Sequence, residues 1–181
     1  MATLVLSVIG NDRAGLVDAL AAPIADHGGN WDRSHMARLA GKFAGIVVVT
    51  VPDERVDSLG AALETVQAQG LLDVRVAIAA ADGPVDDTSL LSLHLIGQDR
   101  PGIVREIANA LARRNVSIEE LETSTASAPM SAEQLFEATA SLRLPAGVDL
   151  DALRLALEDI ANELMVDLDV SPRTPPSDER G

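Results

Sequence analysis

Ile9-Gly10-Asn11-Asp12-Arg13-Ala14-Gly15-Leu16-Val17 returns, 87 residues further on, as Ile96-Gly97-Gln98-Asp99-Arg100-Pro101-Gly102-Ile103-Val104. The offset holds without a gap from Leu4/Leu91 through Trp31/Ile118. In each copy an alternating apolar strand, Leu4, Leu6 and Val8 or Leu91, Leu93 and Leu95, runs into a turn containing glycine. An amphipathic helix follows at once. A chain that repeats a strand–turn–helix corner is expected to have duplicated whatever that corner binds.

Working outward from the first copy, the spacing of Leu16, Val17, Leu20 and Ile24 predicts a helix from about Ala14, with Pro23 kinking it and Gly28-Gly29 ending it. Trp31 to Leu39 and Phe43 to Val51 read as strands around an Ala40-Gly41-Lys42 turn. Pro52-Asp53 opens a second helix carrying Val56, Leu59, Leu63 and Val66; Gly70 closes it, and Leu72 to Ile78 alternates as a last strand. The second copy repeats this order, with Pro101 expected at the first helical position. Leu150, Leu153, Leu157 and Ile160 match the second helix at an offset of 94. The growth in offset places about six extra residues around Ala126–Ser131, read as an extended loop. The expected fold class is α+β: two ferredoxin-like βαββαβ domains in tandem, each an antiparallel sheet with its helices on one face. The expected domains are 1–80 and 89–171, joined by a linker at 81–88 and followed by a disordered tail at 172–181.

Composition narrows the function. The chain has no cysteine, which excludes disulfides and thiolate metal sites and favours an intracellular address. No apolar run approaches the roughly 20 residues of a membrane span, so a soluble, cytoplasmic protein is expected. The net charge is −14, and Lys42 is the single lysine. That balance opposes phosphate neutralisation and argues against direct nucleic-acid binding. Residues 1–85 carry 10 acidic and 6 basic side chains against 18 and 8 in residues 86–181. A partner meeting the second half is therefore expected to be basic.

The candidate ligand-binding residues are those of the two corners: Asn11, Asp12, Arg13, Ala14, Gly15 and Leu16, with Gln98, Asp99, Arg100, Pro101, Gly102 and Ile103. A glycine turn lets a ligand approach the backbone, free N–H groups at a helix start suit an α-carboxylate, and Asp12 or Asp99 can face an α-ammonium. Asp99-Arg100-Pro101-Gly102-Ile103, and with two conservative departures Asp12-Arg13-Ala14-Gly15-Leu16, resemble the signature of the ACT domain, a small ferredoxin-like regulatory module. From about Thr3 to Val170 the chain looks like two such domains. Ala128-Pro129-Met130-Ser131, Leu135-Phe136-Glu137 and Leu144-Pro145-Ala146 further resemble the second half of the glycine cleavage system transcriptional repressor family. The resemblance implies amino-acid binding where the first turn meets a neighbouring ACT unit. It also implies a closing polar residue at the start of the second strand, Asn30 here and Ser117 in the second copy. Asn30 can both donate and accept.

Other readings of the same residues stand beside these. Asp12 and Asp99 also suit helix capping, Arg13 and Arg100 simple solvation, and Gly15 and Gly102 close helix–strand packing. Trp31 reads as a core or interface anchor. His27, His35 and His94 lack ligand spacing, so no metal and no cofactor is expected. Strand alternation sets Glu120 on the face opposite Glu119 and Glu122. Ser7 and Ser92 have no base at motif spacing, and no P-loop or GxSxG occurs, so the chain is not expected to be an enzyme. The expected function is regulatory: a small amino acid, glycine or serine-like, is sensed and reported through protein contact. The resemblance implies transcriptional repression through a DNA-bound activator, and a homodimer is expected. The alternative is a scaffold or dimerisation module without a ligand.

Overall fold

The computed structural model describes residues 1–79, 89–127 and 134–172. The chain divides into two compact units, Met1–Gly83 and Pro84–Gly181. The proposed linker, the Pro129–Ser131 stretch and residues 173–181 lie outside the described residues. The final strand nevertheless runs through Pro172, the first residue assigned above to the tail.

In the first unit, β1 (Ala2–Asn11), α1 (Leu16–Asp26), β2 (Asn30–Leu39), β3 (Lys42–Val51), α2 (Val56–Ala68) and β4 (Asp73–Ile78) follow in order. A single 3-10 turn, Asp53–Arg55, leads into α2. The second unit repeats the order as β5 (Ser89–Gln98), α3 (Ile103–Ala112), β6 (Ser117–Ser127), β7 (Gln134–Leu144), α4 (Leu150–Leu164) and β8 (Val166–Pro172). The sheets are antiparallel, ordered β2-β3-β1-β4 and β6-β7-β5-β8.

Period-two alternation puts Leu4, Leu6 and Val8 of β1 on the face shared with Val47 and Val49 of β3, where all are buried. Leu16, Leu20 and Ile24 of α1 and Leu59, Leu63 and Val66 of α2 close over that face. Both helices thus cover one side of the sheet. The second unit builds a separate core from Leu91, Leu93 and Leu95 with Ile103, Ile107 and Leu111 of α3 and Leu153 and Leu157 of α4. Trp31 is half-buried against the first core. Pro23 does not end α1: its ring removes only the bond to the Ala19 carbonyl, and its own carbonyl accepts from the His27 N–H at 3.2 Å.

The helix ends show one device with two residue choices. After α1, Gly28 takes φ +69°, its N–H donates to Ala25 O at 2.9 Å, and the Gly29 N–H reaches back to Ile24 O at 2.9 Å. After α3, Asn115 takes φ +56°, with its N–H on Ala112 O and the Val116 N–H on Leu111 O. These are Schellman turns, in which glycine and asparagine are the residues that tolerate the left-handed position.

A β-bulge interrupts each outer strand at the same place, between Trp31 and Arg33 and between Ile118 and Glu120. The residues left out of the ladder are both acidic. Asp32 accepts from Thr50 Oγ1 and from Asn30 Nδ2, and Glu119 takes two bonds from Arg143, at 2.7 and 2.9 Å. Glu120 and Glu122 lie two residues apart in the regular ladder beyond the bulge and so share a face, which corrects the expectation that set Glu120 opposite Glu122. Ala126 and Ser127, read above as loop, pair with Leu135 and Gln134 instead.

The Arg143 hydrogen bonds hold the Glu119 carboxyl below its ordinary value of 4.5, outweighing the desolvation that raises it. A lowered folded-state value means the pair stabilises above the ordinary value and fades as pH falls through the lowered one. Both partners are substantially exposed, so Glu119→Gln is expected to cost less than about 1 kcal/mol near neutral pH. The gap from the parent chain should close well below pH 4.5, as read by denaturant unfolding at the two conditions. Core substitutions are expected to cost more. Leu63→Ala, at a position 1 % exposed, should lose about 2–5 kcal/mol in a titration followed by Trp31 fluorescence.

Candidate ligand-binding corners

Each corner is built where the first strand of a unit leaves the sheet. The N–H of Asp12 donates to Gly41 O at 2.9 Å, and the N–H of Asp99 donates to Gln134 O at 2.8 Å. The corner is thereby pinned to the neighbouring strand. Two residues intervene before a glycine in the left-handed region, Gly15 at φ +91° and Gly102 at φ +101°. Only then does the helix begin. Its first intrahelical bonds are Ala19 N–H to Gly15 O and Glu106 N–H to Gly102 O. The amides of residues 16–18 and 103–105 have no intrahelical acceptor and sit at the positive end of the helix dipole.

Several readings are corrected by this geometry. The helices start at Leu16 and Ile103, so Pro101 precedes the helix rather than occupying its first position; a left-handed Gly102 cannot lie inside a right-handed helix. The N-caps are Gly15 and Gly102, and neither helix has a side-chain cap, so Asp12 and Asp99 do not cap. The aspartate that caps is Asp149, whose Oδ1 accepts from the N–H groups of Asp151 and Ala152 at the start of α4. A Cβ on Gly15 would meet nothing within 4 Å, so close packing is not what requires glycine there. Close approach falls instead on Gly10, whose Cβ would lie 2.5 Å from the Leu71 carbonyl oxygen, and on Gly97, whose Cβ would strike Val166.

A hollow lies at each corner. The first, about 310 Å³, is lined by Asp12, Arg13, Gly15, Leu16, Val17, Asp18 and Phe43. The second, about 520 Å³, is lined by Asp99, Arg100, Gly102, Ile103, Val104, Arg105, Ala108 and Phe136. The repeat relates the two. Phe43 and Phe136, the only phenylalanines in the chain, were missed as site residues. Their signal was available: each occupies the same place in its copy, directly across from Gly10 or Gly97. Two further hollows, of about 330 and 300 Å³, sit away from the corners against α4, β8 and the Pro145–Val148 turn.

Asn11, Ala14, Gln98 and Pro101 do not line the hollows; Asn11 Oδ1 accepts from Lys42 Nζ at 2.6 Å instead. Asn30 and Ser117 stand at the opposite end of their sheets. Asn30 pairs with Thr50, which pairs with Thr3, eight residues along β1 from Asn11. That is roughly 26 Å at ~3.3 Å per residue. Neither side chain meets the corner of its own unit. Asp12 is engaged by Arg38 Nε at 2.5 Å, while Arg13 is exposed. Arg100 is partly buried, and its Nε is the one buried side-chain nitrogen or oxygen without a hydrogen-bond partner among the described residues.

Two helices against one face of a four-stranded antiparallel sheet, entered through a glycine corner and repeated once, define a tandem α+β protein of ferredoxin-like domains. ACT-domain models match residues 2–77 and 92–140, and the chain belongs to the ACT-domain family. A solved structure of an unknown protein from Galdieria sulphuraria superposes with a TM-score of 0.85 at 29 % identity, covering 96 % of this chain and 99 % of that one. A second solved structure, provisionally assigned as a glycine cleavage system transcriptional repressor, superposes with a TM-score of 0.70 at 16 % identity, covering 96 % and 98 %. No curated protein matches the chain in sequence. No helix is long and apolar enough to cross a membrane among the described residues.

The corner glycines separate two kinds of constraint. Gly15→Ala and Gly102→Ala are each expected to cost about 1–2 kcal/mol, because space is open and only the left-handed backbone is strained. Gly10→Ala, which meets a backbone carbonyl, should lower the thermal midpoint further than either, as measured by circular dichroism.

Proposed function

We propose that this protein is a non-catalytic regulator that binds a small α-amino acid at its ACT corners and transmits occupancy through contact with another protein. The observation carrying this reading is the repetition, at one place in the fold, of a hollow lined by an aspartate, an arginine and the open amides of a helix start. A zwitterion needs these groups together: an anion acceptor at the positive end of a helix, and a carboxylate for the ammonium. The glycine approach leaves the backbone accessible.

Glycine or serine is the effector class we assign, and the site residues are the corner segments Asn11–Leu16 and Gln98–Ile103, closed by Asn30 or Ser117 of a neighbouring ACT unit. Asn30 and Ser117 stand remote from their own corners, so in this reading the closing residue comes from another unit. The fold shared with a provisionally assigned glycine cleavage repressor is consistent with a role in transcriptional repression, which this proposal routes through a DNA-bound activator. A net charge of −14 is consistent with indirect rather than direct contact with DNA. A homodimer in the cytoplasm is the working state within this proposal. Ligand acts by binding one association state more tightly than another, and it shifts the equilibrium only by that difference.

Isothermal titration calorimetry of the full chain with glycine, L-serine and a panel of other amino acids tests the reading. Saturable binding of at least one is expected. Silence across the panel favours the alternative, a scaffold or dimerisation module, and removes the sensor reading.

A further inference from the structure

The two copies differ most on the sheet face that their helices leave open. Alternation fixes its residues, because Leu4, Leu6, Val47 and Val49 point into the core and their neighbours point away. In the first unit, register sets Arg33, Val48, Val5 and Ala77 in one row across the four strands. His35, Ile46, Ser7 and Arg75 form the next row, and Ala37, Ala44, Ile9 and Asp73 the third. The inner strands thus present valine and isoleucine, flanked by Arg33 and His35 on β2 and by Arg75 on β4. Ile9 and Ile46 are 48 % and 55 % exposed.

The second unit fills the same rows otherwise. They read Glu120, Ser141, Ser92 and Ser171, then Glu122, Thr139, His94 and Asp169, then Ser124, Glu137, Ile96 and Asp167. Position for position, Arg33 answers to Glu120, His35 to Glu122 and Arg75 to Asp169. These rows hold five carboxylates and no arginine, whereas those of the first unit hold two arginines and one carboxylate, Asp73. Beside them, Arg143 is held by Glu119, and Asp32 by Thr50 and Asn30. Arg33, Arg75, Glu122 and Asp169 make no side-chain hydrogen bond or ion pair among the described residues, so their charges are unspent.

Charge selects what covers the apolar strip. Packed on its own kind, the first face would bring the cations of one edge strand against those of another. The second face on itself would gather carboxylates. First on second, every two-fold arrangement sets cations against carboxylates at both edges, since β2 and β4 each carry the former and β6 and β8 the latter. Between the edges, the short side chains of Ser92, Thr139 and Ser141 leave space for Ile46 and Val48 at the spacing of stacked sheets. Each chain carries one face of each kind. Two chains laid antiparallel satisfy both pairs at once and close the assembly.

We infer that these faces are the contact between two copies of this chain: the open sheet face of the first unit of one copy packs on that of the second unit of its partner, and the reverse. The inference takes the homodimer from the reading above, gives it a surface, and does not depend on any ligand.

The test is charge exchange on the full chain, read by sedimentation velocity at micromolar concentration. The unmodified chain is expected to be a dimer that weakens as salt is added. Arg33→Glu with Arg75→Glu, and separately Glu122→Arg with Asp169→Arg, should each weaken association about a hundredfold or more. Mixing the two variants should restore the dimer, because both contacts are then complementary again. Circular dichroism checks that each variant folds. On the unmodified chain, amide shifts that change on dilution should fall on both faces, at Ile46 and Val48 and at Glu122 and Thr139, which answers the question even if a variant misfolds. Dimers that persist in both variants, or no recovery on mixing, overturn this inference and leave the homodimer standing. A monomeric unmodified chain overturns both, while amino-acid binding at the corners is read separately by calorimetry.

Discussion

The left-handed glycine at the end of each first strand is the constraint on which the rest depends. A right-handed helix started directly from Asn11 or Gln98 would carry its apolar stripe in a direction set by the strand. Two intervening residues and a glycine at φ +91° or +101° instead turn the chain so that Leu16, Leu20 and Ile24, or Ile103, Ile107 and Leu111, fall onto the sheet. The same turn aims the unpaired helix amides away from the sheet and into the corner. Core and candidate site therefore share one backbone event. The Asp12 and Asp99 amide bonds to the hairpin carbonyls hold that event in register with the third strand.

Strands and helices were legible because each writes its own period. Alternation marks β1, β4 and β5, and spacings of three and four mark all four helices, so the duplicated βαββαβ order follows from local pattern and the repeat. What was misread involved departures by one residue. Pro101 suits a first helical position, yet Gly102 behind it claims the left-handed slot and pushes the helix start onward. The bulges at Asp32 and Glu119 add a residue without a hydrophobic signature, so nothing in the local pattern marks the break in register. Ala126 and Ser127 are small and polar but pair because an exposed edge strand makes no demand on side-chain burial.

Within the candidate site, the aspartates, arginines and glycines were legible as chemistry, whereas their environments were not. Phe43 and Phe136 read as ordinary strand residues, since nothing local distinguishes an aromatic that walls a hollow from one in a core. The Asp12–Arg38 pair joins a residue just past β1 to one in β2, and no short motif links them. Asn30 and Ser117 were grouped with the corners by resemblance, and only strand register reveals the length of the sheet between them.

Duplication explains both what the halves keep and what they vary. Positions that answer to backbone physics are held to a narrow choice: glycine at both corners, and glycine or asparagine at the left-handed helix ends Gly28 and Asn115. The bulge position stays acidic while its partner changes from Thr50 to Arg143, so the carboxylate is retained and the donor is exchanged. Positions outside both cores are freer to diverge. Arg38 against Thr125 and Asp18 against Arg105 are such positions, lying around the corners and outside both cores.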